Sequence, residues 1–387
     1  MTTSSNAGTG GSDATDGTTP ARPGTDVVCL GETMVTFMPA GPGRLADVTT
    51  FERGIGGAES NVACALARTG HRTRWVSRVG ADGFGDHIRD AVAACGVDVT
   101  HVQRDPDRPT GVYFRTAGER ATGTETGAGE AEVAYYRAGS AASAMSPELL
   151  DDHALRDTRV LHLSGITAAL SDSCLDVLRV LTAPAPGRPL VSFDVNYRVG
   201  LWRDRTARGP GLLLDLARRC DLVFVGEDEA AAAWDLHGTA AIRAALPEPA
   251  VLVVKQGGDG ATVHARRADG TDTLTSAPAL AVDVVAPVGA GDAFAAGFLS
   301  ATLRDLPVFE RIRHGHLMAA ASLTVPGDLG TPPSRGLADR LARLDPAAWG
   351  RLRLGPGWTT HGDAPDNPSS DTGSHGVHNA RVEVRTP

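Results

Sequence analysis

A turn of small residues followed by an acidic residue lies about three-quarters of the way along the chain. It comprises Gly289, Ala290, Gly291 and Asp292, and the apolar residues from Phe294 onward suit a helix packed into a core. The unpaired N–H groups of a helix start, with the positive end of the helix dipole, attract phosphate. A carboxylate beside this anion cradle (residues 289–291) could take a proton from an attacking hydroxyl. The pattern therefore indicates phosphoryl transfer.

A second segment with similar features lies near the N-terminus. Gly56 and Gly57 precede a predicted helix, and Asn61 lies inside it, although asparagine is a mediocre helix former. Each segment alone also has a structural explanation. Gly56 and Gly57 could simply turn the chain, and residues 289–291 could form a tight connection with Asp292 as a helix cap. Together, in this order and about 230 residues apart, they resemble the two signatures of the ribokinase-like (PfkB) family of sugar kinases.

The resemblance implies roles for these and further residues. Asp292 would be the catalytic base and the anion cradle would stabilise the transferred phosphoryl group, in direct in-line transfer from ATP with Mg²⁺. The glycine pair would let the sugar approach the backbone, and Asn61 would bind its hydroxyls. The implied ATP contacts are Asn196, Lys255, Gly257, Gly258, Gly260, Ala290 and Gly291.

Two further segments bear on the sugar. Strand alternation places Tyr135 and Arg137 on one face of a predicted strand and Tyr136 on the other. Arginine binds carboxylates in bidentate fashion. Arg198 follows a predicted strand at its C-terminal end, where parallel sheets bind ligands. A half-buried aromatic strand with a solvated arginine, and an ordinary polar loop, are the structural alternatives.

With the Gly-Gly-Ala-Glu-Ser-Asn sequence at 56–61, these segments look most like 2-keto-3-deoxygluconate kinases, whose substrate is a sugar acid. A kinase for a neutral sugar such as fructose or ribose, and a non-catalytic sugar or nucleotide sensor on the same fold, remain as alternatives. The implied substrate contacts are Gly56, Gly57, Asn61, Tyr113, Tyr135, Arg137, Arg198 and Asp292.

Two positions depart from the family pattern. The family usually has an aspartate three residues before the first cradle glycine, where it helps bind a monovalent cation; here the residue is Ala286. Potassium activation is therefore in doubt, with Asp283 as the nearby substitute. The family's NxxE motif, linked to Mg²⁺ through water, has Gly226 in place of asparagine but keeps Glu229. Indirect magnesium binding by Glu229 is therefore expected, with altered affinity.

The elements that must position these residues alternate along the chain. Apolar runs at 27–30, 73–79, 159–163, 190–195, 221–225 and 250–255 predict strands, each followed by a helical stretch. This pattern predicts an α/β fold with a mainly parallel central sheet. Short alternating runs within 33–53 and 110–137 predict antiparallel strands outside that sheet. Within the second range, residues 117–130 predict a mobile loop between two of these strands. In the family such strands form a small β-sheet lid over the sugar.

Composition limits the remaining possibilities. The net charge of −9 argues against general nucleic-acid binding. The sequence has no apolar run long enough to predict a membrane span. Its five cysteines form no CxxC pair, which suits free thiols in the cytoplasm. Residues 1–25 and 355–387 predict disordered tails around a kinase domain at 26–345. Because family members often share the lid between subunits, the resemblance also allows a homo-oligomer formed through it.

Overall fold

Buried aliphatic runs form the strands of one large sheet. The computed structural model describes residues 24–41, 43–116, 132–150, 155, 157–205 and 208–360. The strands are β1 Thr25–Leu30, β2 Met34–Pro39, β3 Phe51–Gly56, β4 Thr73–Gly80, β5 Val102–Asp105, β6 Val112–Arg115, β7 Val133–Tyr136, β8 Thr158–Ser164, β9 Leu190–Asp194, β10 Leu222–Gly226, β11 Val251–Lys255, β12 Ala261–Arg266, β13 Asp272–Ala277, β14 Ala281–Val282 and β15 Arg353–Leu354.

Nine of these strands form the central sheet, in the order β13-β12-β11-β10-β9-β8-β1-β4-β5. The seven strands from β11 to β5 run parallel, so their C-terminal ends lie at one edge. The α-helices are α1 Ala58–Arg68, α2 Gly83–Ala94, α3 Gly165–Leu170, α4 Asp172–Leu181, α5 Gly209–Arg218, α6 Glu227–Trp234, α7 Thr239–Ala245, α8 Ala290–Leu303, α9 Val308–Leu323, α10 Arg335–Ala342 and α11 Pro346–Arg351.

Helices cover both faces of the central sheet, as expected for parallel strands. In β1, Val28 and Leu30 belong to the core shared with α3 to α7, whereas Val27 and Cys29 belong to the core shared with α1, α2, α8 and α9. The sequence alternation of buried residues therefore produces three layers. This arrangement confirms the predicted α/β fold with a mainly parallel sheet.

A separate sheet of four strands, in the order β3-β2-β6-β7, contains the predicted lid strands. Its two faces differ in chemistry. Phe37, Phe51, Phe114 and Tyr136 make ring contacts on one face. The opposite face carries the polar residues Thr36, Tyr113, Arg115 and Tyr135, as the period of two requires. We call this sheet the small sheet and this second face its polar face.

Two expectations about strand connections are wrong. β11 is followed by a one-turn 3₁₀ helix, Gly257–Asp259, and by antiparallel β12, because Gly260 at φ 124° reverses the chain directly. In the small sheet, β2–β3 and β6–β7 are antiparallel as predicted, but β2 pairs with β6 in parallel. The connection between these two strands passes through the central sheet and therefore need not reverse direction.

The packed part of the chain extends past the predicted domain end at residue 345. Trp349 and Leu354 are buried against Leu317 and Ala320 of α9, which extends the hydrophobic core. Thr25, the last residue of the predicted N-terminal tail, is the first residue of β1. The first residues of the predicted C-terminal tail, 355–360, end in a 3₁₀ turn. The predicted mobile loop at 117–130 and the rest of both tails lie outside the described residues. Within the described ranges, no helix has the length and apolar character needed to cross a membrane.

Candidate active site

The fold joins the two segments singled out in the sequence. Asn61 lies in the second turn of α1, and Asp292 lies in the first turn of α8. The Asn61 side-chain amide donates a 2.8 Å hydrogen bond to the Asp292 carboxylate. The helix-interior asparagine therefore has a partner that explains its presence. Gly57 caps the N-terminus of α1, and a Cβ added there would lie 2.4 Å from the Glu32 carbonyl oxygen.

The anion cradle has the geometry that its small residues predict. Gly289 is the N-cap of α8, with φ 70°, and a Cβ at this position would lie 2.4 Å from the Asp328 carbonyl oxygen. The first intrahelical bond runs from the Ala293 N–H to the Gly289 carbonyl. The N–H groups of Ala290, Gly291 and Asp292 therefore precede the hydrogen-bond ladder of the helix, where they can bind an anion.

Asp292 is half-buried in this cradle, and its environment favours a base that works near neutral pH. Burial raises the pKa of Asp292 to about 7, although the hydrogen bond from Asn61 lowers it in part. The Asp194 carboxylate also raises this pKa, while Lys255 and Arg198 lower it. A base with a pKa near the working pH combines a useful ionised fraction with a sufficient affinity for the proton.

Two ion pairs adjoin the cradle at the C-terminal edge of the central sheet. The Lys255 ammonium, from the end of β11, lies 2.9 and 3.0 Å from the two carboxylate oxygens of Asp194, at the end of β9. It would also lie 3.5 Å from a Cβ added at Gly291. Arg198 lies 3.1 Å from a carboxylate oxygen of Glu229. Lys255 and Arg198 therefore place two positive charges beside Asp292.

These pairs keep their cations charged in spite of burial. Burial alone would lower the pKa of Lys255, but the carboxylates of Asp194 and Glu229 outweigh burial and raise it above its usual value. Burial would similarly raise the pKa of Glu229, but Lys255 and Arg198 hold it below the usual range. The cluster therefore offers ionised groups to a ligand at neutral pH.

The polar face of the small sheet brings together the predicted sugar-binding tyrosines. The rings of Tyr113 and Tyr135 lie 5.3 Å apart on paired strands, and the Arg137 guanidinium lies 5.9 Å from the Tyr135 ring. Tyr135 is half exposed, whereas Tyr113 is buried. Gly56 adjoins this face, because a Cβ added there would lie 2.4 Å from the Tyr113 hydroxyl. The predicted separation of Tyr135 from Tyr136 is confirmed, since Tyr136 contacts Phe114 instead.

Arg137 is already engaged within the protein. Its guanidinium pairs with the buried Glu32 carboxylate, which also accepts a 2.7 Å hydrogen bond from the Ser140 hydroxyl. The Nε of Arg137 is buried without a hydrogen-bond partner among the described residues. The Nε–H group of Arg137 is therefore a buried donor that no described residue satisfies. Arg198, by contrast, forms its side-chain ion pair with Glu229 and acts electrostatically on Asp292.

Several predicted ATP contacts lie just after the C-terminal ends of β9 and β11, the two strands on either side of β10. Asn196 follows β9 with φ 45°, and its buried side-chain oxygen has no partner in the described part of the chain. Gly257 and Gly258 belong to the 3₁₀ turn after β11, and no described atom outside the adjoining residues lies within 4 Å of a Cβ built at either. These glycines therefore leave open space beside Lys255, which suits a nucleotide.

The carboxylates near the cradle can be tested as ligands for Mg²⁺. Glu229 accepts from Arg198 through one oxygen and from the Gly226 N–H through the other, at 3.1 and 3.0 Å. No group of three metal-ligating side chains suited to an ion occurs among the described residues. Because magnesium usually keeps several waters and binds phosphate oxygens, Glu229 fits a contact through water rather than direct coordination.

The position usually occupied by the cation-binding aspartate remains apolar. Ala286 is buried, and its backbone N–H donates to the Leu323 carbonyl. Asp283, which the sequence offers as a substitute, is exposed and lies 3.6 Å from Arg353. Its carboxylate is thus engaged with the C-terminal segment of the fold.

Sequence reasoning missed several buried acidic residues around the site. Asp194 ends a strand next to the predicted Asn196, a position that could have identified it. Glu32 and Asp328 give no such signal, since their partners Arg137 and Arg115 lie 105 and 213 residues away. Glu59 is fully buried and accepts from the hydroxyls of Ser164 and Thr167.

Comparisons with known proteins identify the family of the chain. Residues 24–335 match the family described as pfkB family carbohydrate kinase. The chain is 33% identical over 315 residues to a 2-dehydro-3-deoxygluconokinase of Bacillus subtilis (strain 168), covering 80% of this chain and 93% of that protein. A 2-dehydro-3-deoxygluconokinase of Thermoproteus tenax is 31% identical over 329 residues, covering 84% and 97%.

A solved structure extends the likeness to the fold. The crystal structure of a PfkB protein from Polaromonas sp. JS666 is 32% identical and superimposes with a TM-score of 0.69, covering 81% of this chain and 99% of the other. The sequence match spans most of the chain and includes both signature segments, which the fold joins at Asn61 and Asp292. This chain therefore belongs to the pfkB family of carbohydrate kinases.

Proposed function

We propose that this carbohydrate kinase transfers the γ-phosphoryl group of ATP to a sugar acid, with 2-keto-3-deoxygluconate (2-dehydro-3-deoxygluconate) as the substrate and its 6-phosphate as the product. The observation that carries the proposal is the 2.8 Å hydrogen bond from Asn61 to Asp292 beside the anion cradle. It places a carboxylate whose pKa is about 7 next to the free N–H groups of a helix start.

The chemistry follows from these residues. Asp292 takes the proton from the primary hydroxyl of the sugar. The oxygen of this hydroxyl bonds to the γ-phosphorus while the bond between the γ-phosphorus and the β-phosphate oxygen breaks, so that ADP is released. The N–H groups of Ala290 and Gly291 stabilise the charge on the transferred group. Magnesium bound through phosphates and water would neutralise phosphate charge. Lys255 and Arg198 add positive charge on the same side as Asp292.

The choice of a sugar acid rests on the arginines and on two named relatives. Arg137 has an unpaired buried Nε on the polar face of the small sheet, beside Tyr135. A substrate carboxylate satisfies this donor better than a neutral hydroxyl does, because hydrogen bonds to charged groups are stronger. The two relatives named 2-dehydro-3-deoxygluconokinase match over almost their whole length.

The direct test measures ADP release by the purified protein with Mg-ATP and one sugar at a time. The panel comprises 2-keto-3-deoxygluconate, fructose, ribose and no sugar, each with and without K⁺. We expect turnover with the sugar acid and little with the neutral sugars. A preference for fructose or ribose would overturn the substrate and leave the kinase mechanism in place. ATP binding without turnover on any sugar would favour a sensor on this fold.

Replacing Arg137 by methionine tests the substrate carboxylate separately. Because R137M alone leaves the buried Glu32 carboxylate without its counter-ion, the double variant R137M/E32Q removes both charges of the pair. We expect the double variant to raise KM for the sugar acid by about tenfold or more, in line with loss of a charge-assisted hydrogen bond. KM for ATP should change little. An unchanged KM for the sugar acid would contradict a role for Arg137 in substrate binding.

Replacing Asn61 by alanine should shift the pH dependence of the reaction. The hydrogen bond from Asn61 stabilises the ionised carboxylate and so lowers the pKa of Asp292. Removing it raises that pKa further above its present value of about 7. The acid limb of kcat/KM should therefore move to higher pH, as a pH–rate profile would reveal. The control is S60A on the same helix, because the Ser60 hydroxyl donates to the Gly57 carbonyl. If the acid limb of kcat/KM stays at the same pH in N61A, the assignment of Asp292 as the base is contradicted.

A further inference from the structure

Two cysteines and an arginine meet where α1 packs against the C-terminal end of α2. Cys64 and Arg68 are four residues apart on α1, so their side chains lie on one face of that helix. Cys95 is the C-cap of α2. The helices are close here, because a Cβ built at Gly96 would lie 3.8 Å from the Ala67 Cβ. The Cys64 thiol donates a hydrogen bond to the Cys95 sulfur, and the Arg68 side chain also hydrogen-bonds to Cys95. We call Cys64 and Cys95 the thiol pair.

The two members of the thiol pair differ in their access to solvent. Cys64 is fully buried, whereas Cys95 is partly exposed and lies between two exposed residues. Besides accepting from Cys64, the Cys95 thiol donates to the Ala91 carbonyl at 3.4 Å. The remaining cysteines of the chain are all buried: Cys29, Cys174 and Cys220. A small oxidant in solution therefore reaches Cys95 before any other thiol, and Cys64 lies directly behind it.

The surroundings of the thiol pair favour a thiolate at Cys95 and a protonated thiol at Cys64. The hydrogen bond from Cys64 lowers the pKa of Cys95 to about 6, and the charge of Arg68 lowers it as well, although burial raises it in part. The same hydrogen bond, together with burial, raises the pKa of Cys64. The Arg68 guanidinium is held in place by a 3.2 Å hydrogen bond to the Gly330 carbonyl. Because the thiolate is the reactive form of cysteine, the accessible member of the pair is also the nucleophile.

We propose that Cys95 is the site at which a peroxide oxidises this protein, and that Cys64 resolves the product into a disulfide that joins α1 to α2. The Cys95 thiolate attacks one oxygen of hydrogen peroxide, so that an S–O bond forms, the O–O bond breaks and hydroxide leaves. This hydroxide takes up the proton that Cys95 had released and becomes water.

The second step consumes the sulfenic acid at Cys95. The Cys64 sulfur bonds to the Cys95 sulfur as the S–O bond breaks, and the departing hydroxyl takes the Cys64 proton and leaves as a second water. Both sulfurs are oxidised and the peroxide is reduced, so no further reactant is needed. Since Cys64 lies one turn after Asn61 on α1, the disulfide forms on the helix that contacts Asp292.

The test treats the full chain with hydrogen peroxide, blocks the remaining thiols with iodoacetamide and analyses tryptic peptides by mass spectrometry. Cleavage after arginine places Cys64 in the peptide of residues 54–68 and Cys95 in that of residues 90–104. We expect the two peptides to be linked, with a mass two hydrogens below their sum, and to separate on reduction. The matched control is C220S, which removes a buried thiol that donates to the Leu216 carbonyl and should form the same disulfide to the same extent. Alkylated Cys95 after peroxide treatment, or a disulfide between two chains, would overturn the inference.

Trapping with dimedone, which labels sulfenic acids, separates the two steps. C64S lacks the resolving sulfur, and its serine hydroxyl can still donate to Cys95, so dimedone should label Cys95 far more strongly in C64S than in the wild type. C95S should give neither the adduct nor a disulfide at Cys64. The variant C64A gives the same readout if a buried serine at this position prevents folding. Equal labelling of Cys95 in the wild type and in C64S or C64A would refute resolution by Cys64, and oxidation of Cys64 in C95S would refute the order of the two steps.

Discussion

Replacing Asp292 by asparagine is expected to lower kcat by about 10²- to 10⁴-fold, the usual contribution of a positioned base. Asparagine keeps the size of the side chain and can still accept the bond from Asn61. It cannot take the proton of the sugar hydroxyl. The fold and the affinity for ATP should remain, because the N–H groups of the anion cradle belong to the backbone.

The stability of this variant gives an independent check. The pKa of Asp292 is raised by burial from its ordinary value to about 7, so the folded state holds its proton more tightly than the unfolded state. The wild type therefore loses stability as pH rises between about 4 and 7, and D292N lacks this loss. At pH 8 the variant should unfold at the same temperature as the wild type or higher. The matched control is D305N, an exposed aspartate just after the same helix, which should leave kcat unchanged. Near wild-type kcat in D292N would refute the assignment of the base.

Local chemistry explains how far the sequence predicts this site. The cradle residues are recognisable because small side chains at a helix start leave its unpaired N–H groups accessible to an anion, and Asn61 is recognisable because it fits poorly inside a helix. Strand alternation similarly assigns Tyr135 and Tyr136 to opposite faces from their adjacent positions alone. Such signals concern one residue and its neighbours along the chain, so they do not depend on how distant segments pack.

The missed residues depend on contacts between distant segments. Arg137 resembles a free ligand for a substrate carboxylate until the fold brings Glu32 against it. Lys255 resembles a nucleotide contact until Asp194 appears beside it. In both cases the charge is predicted correctly, but its partner is set by tertiary packing. The same limit applies to the β11 connection, where the turn residues are visible in the sequence but the pairing of β12 with β11 is not.

The pairing of Lys255 with Asp194 leads to the second large expected effect. The variant K255M should lower the free energy of unfolding by about 3 kcal/mol, because it leaves a buried carboxylate without its counter-ion. The Asp194 side chain is only 3% exposed, and both its oxygens bond to Lys255. Methionine retains most of the aliphatic stem, so the loss reports the charge rather than a cavity.

A cycle of unfolding measurements in urea separates the pair from its surroundings. The double variant K255M/D194N removes both charges and should recover most of the stability that K255M loses. The control is R179M, which breaks the exposed pair of Arg179 with Asp176 and should cost less than about 1 kcal/mol. If K255M costs no more than R179M, the Asp194 carboxylate has found solvent or another partner. Lys255 also adjoins the anion cradle, so K255M/D194N should fold but bind ATP more weakly than the wild type. Weaker ATP binding by a folded variant would distinguish a role of Lys255 in ligand binding from a role in stability alone.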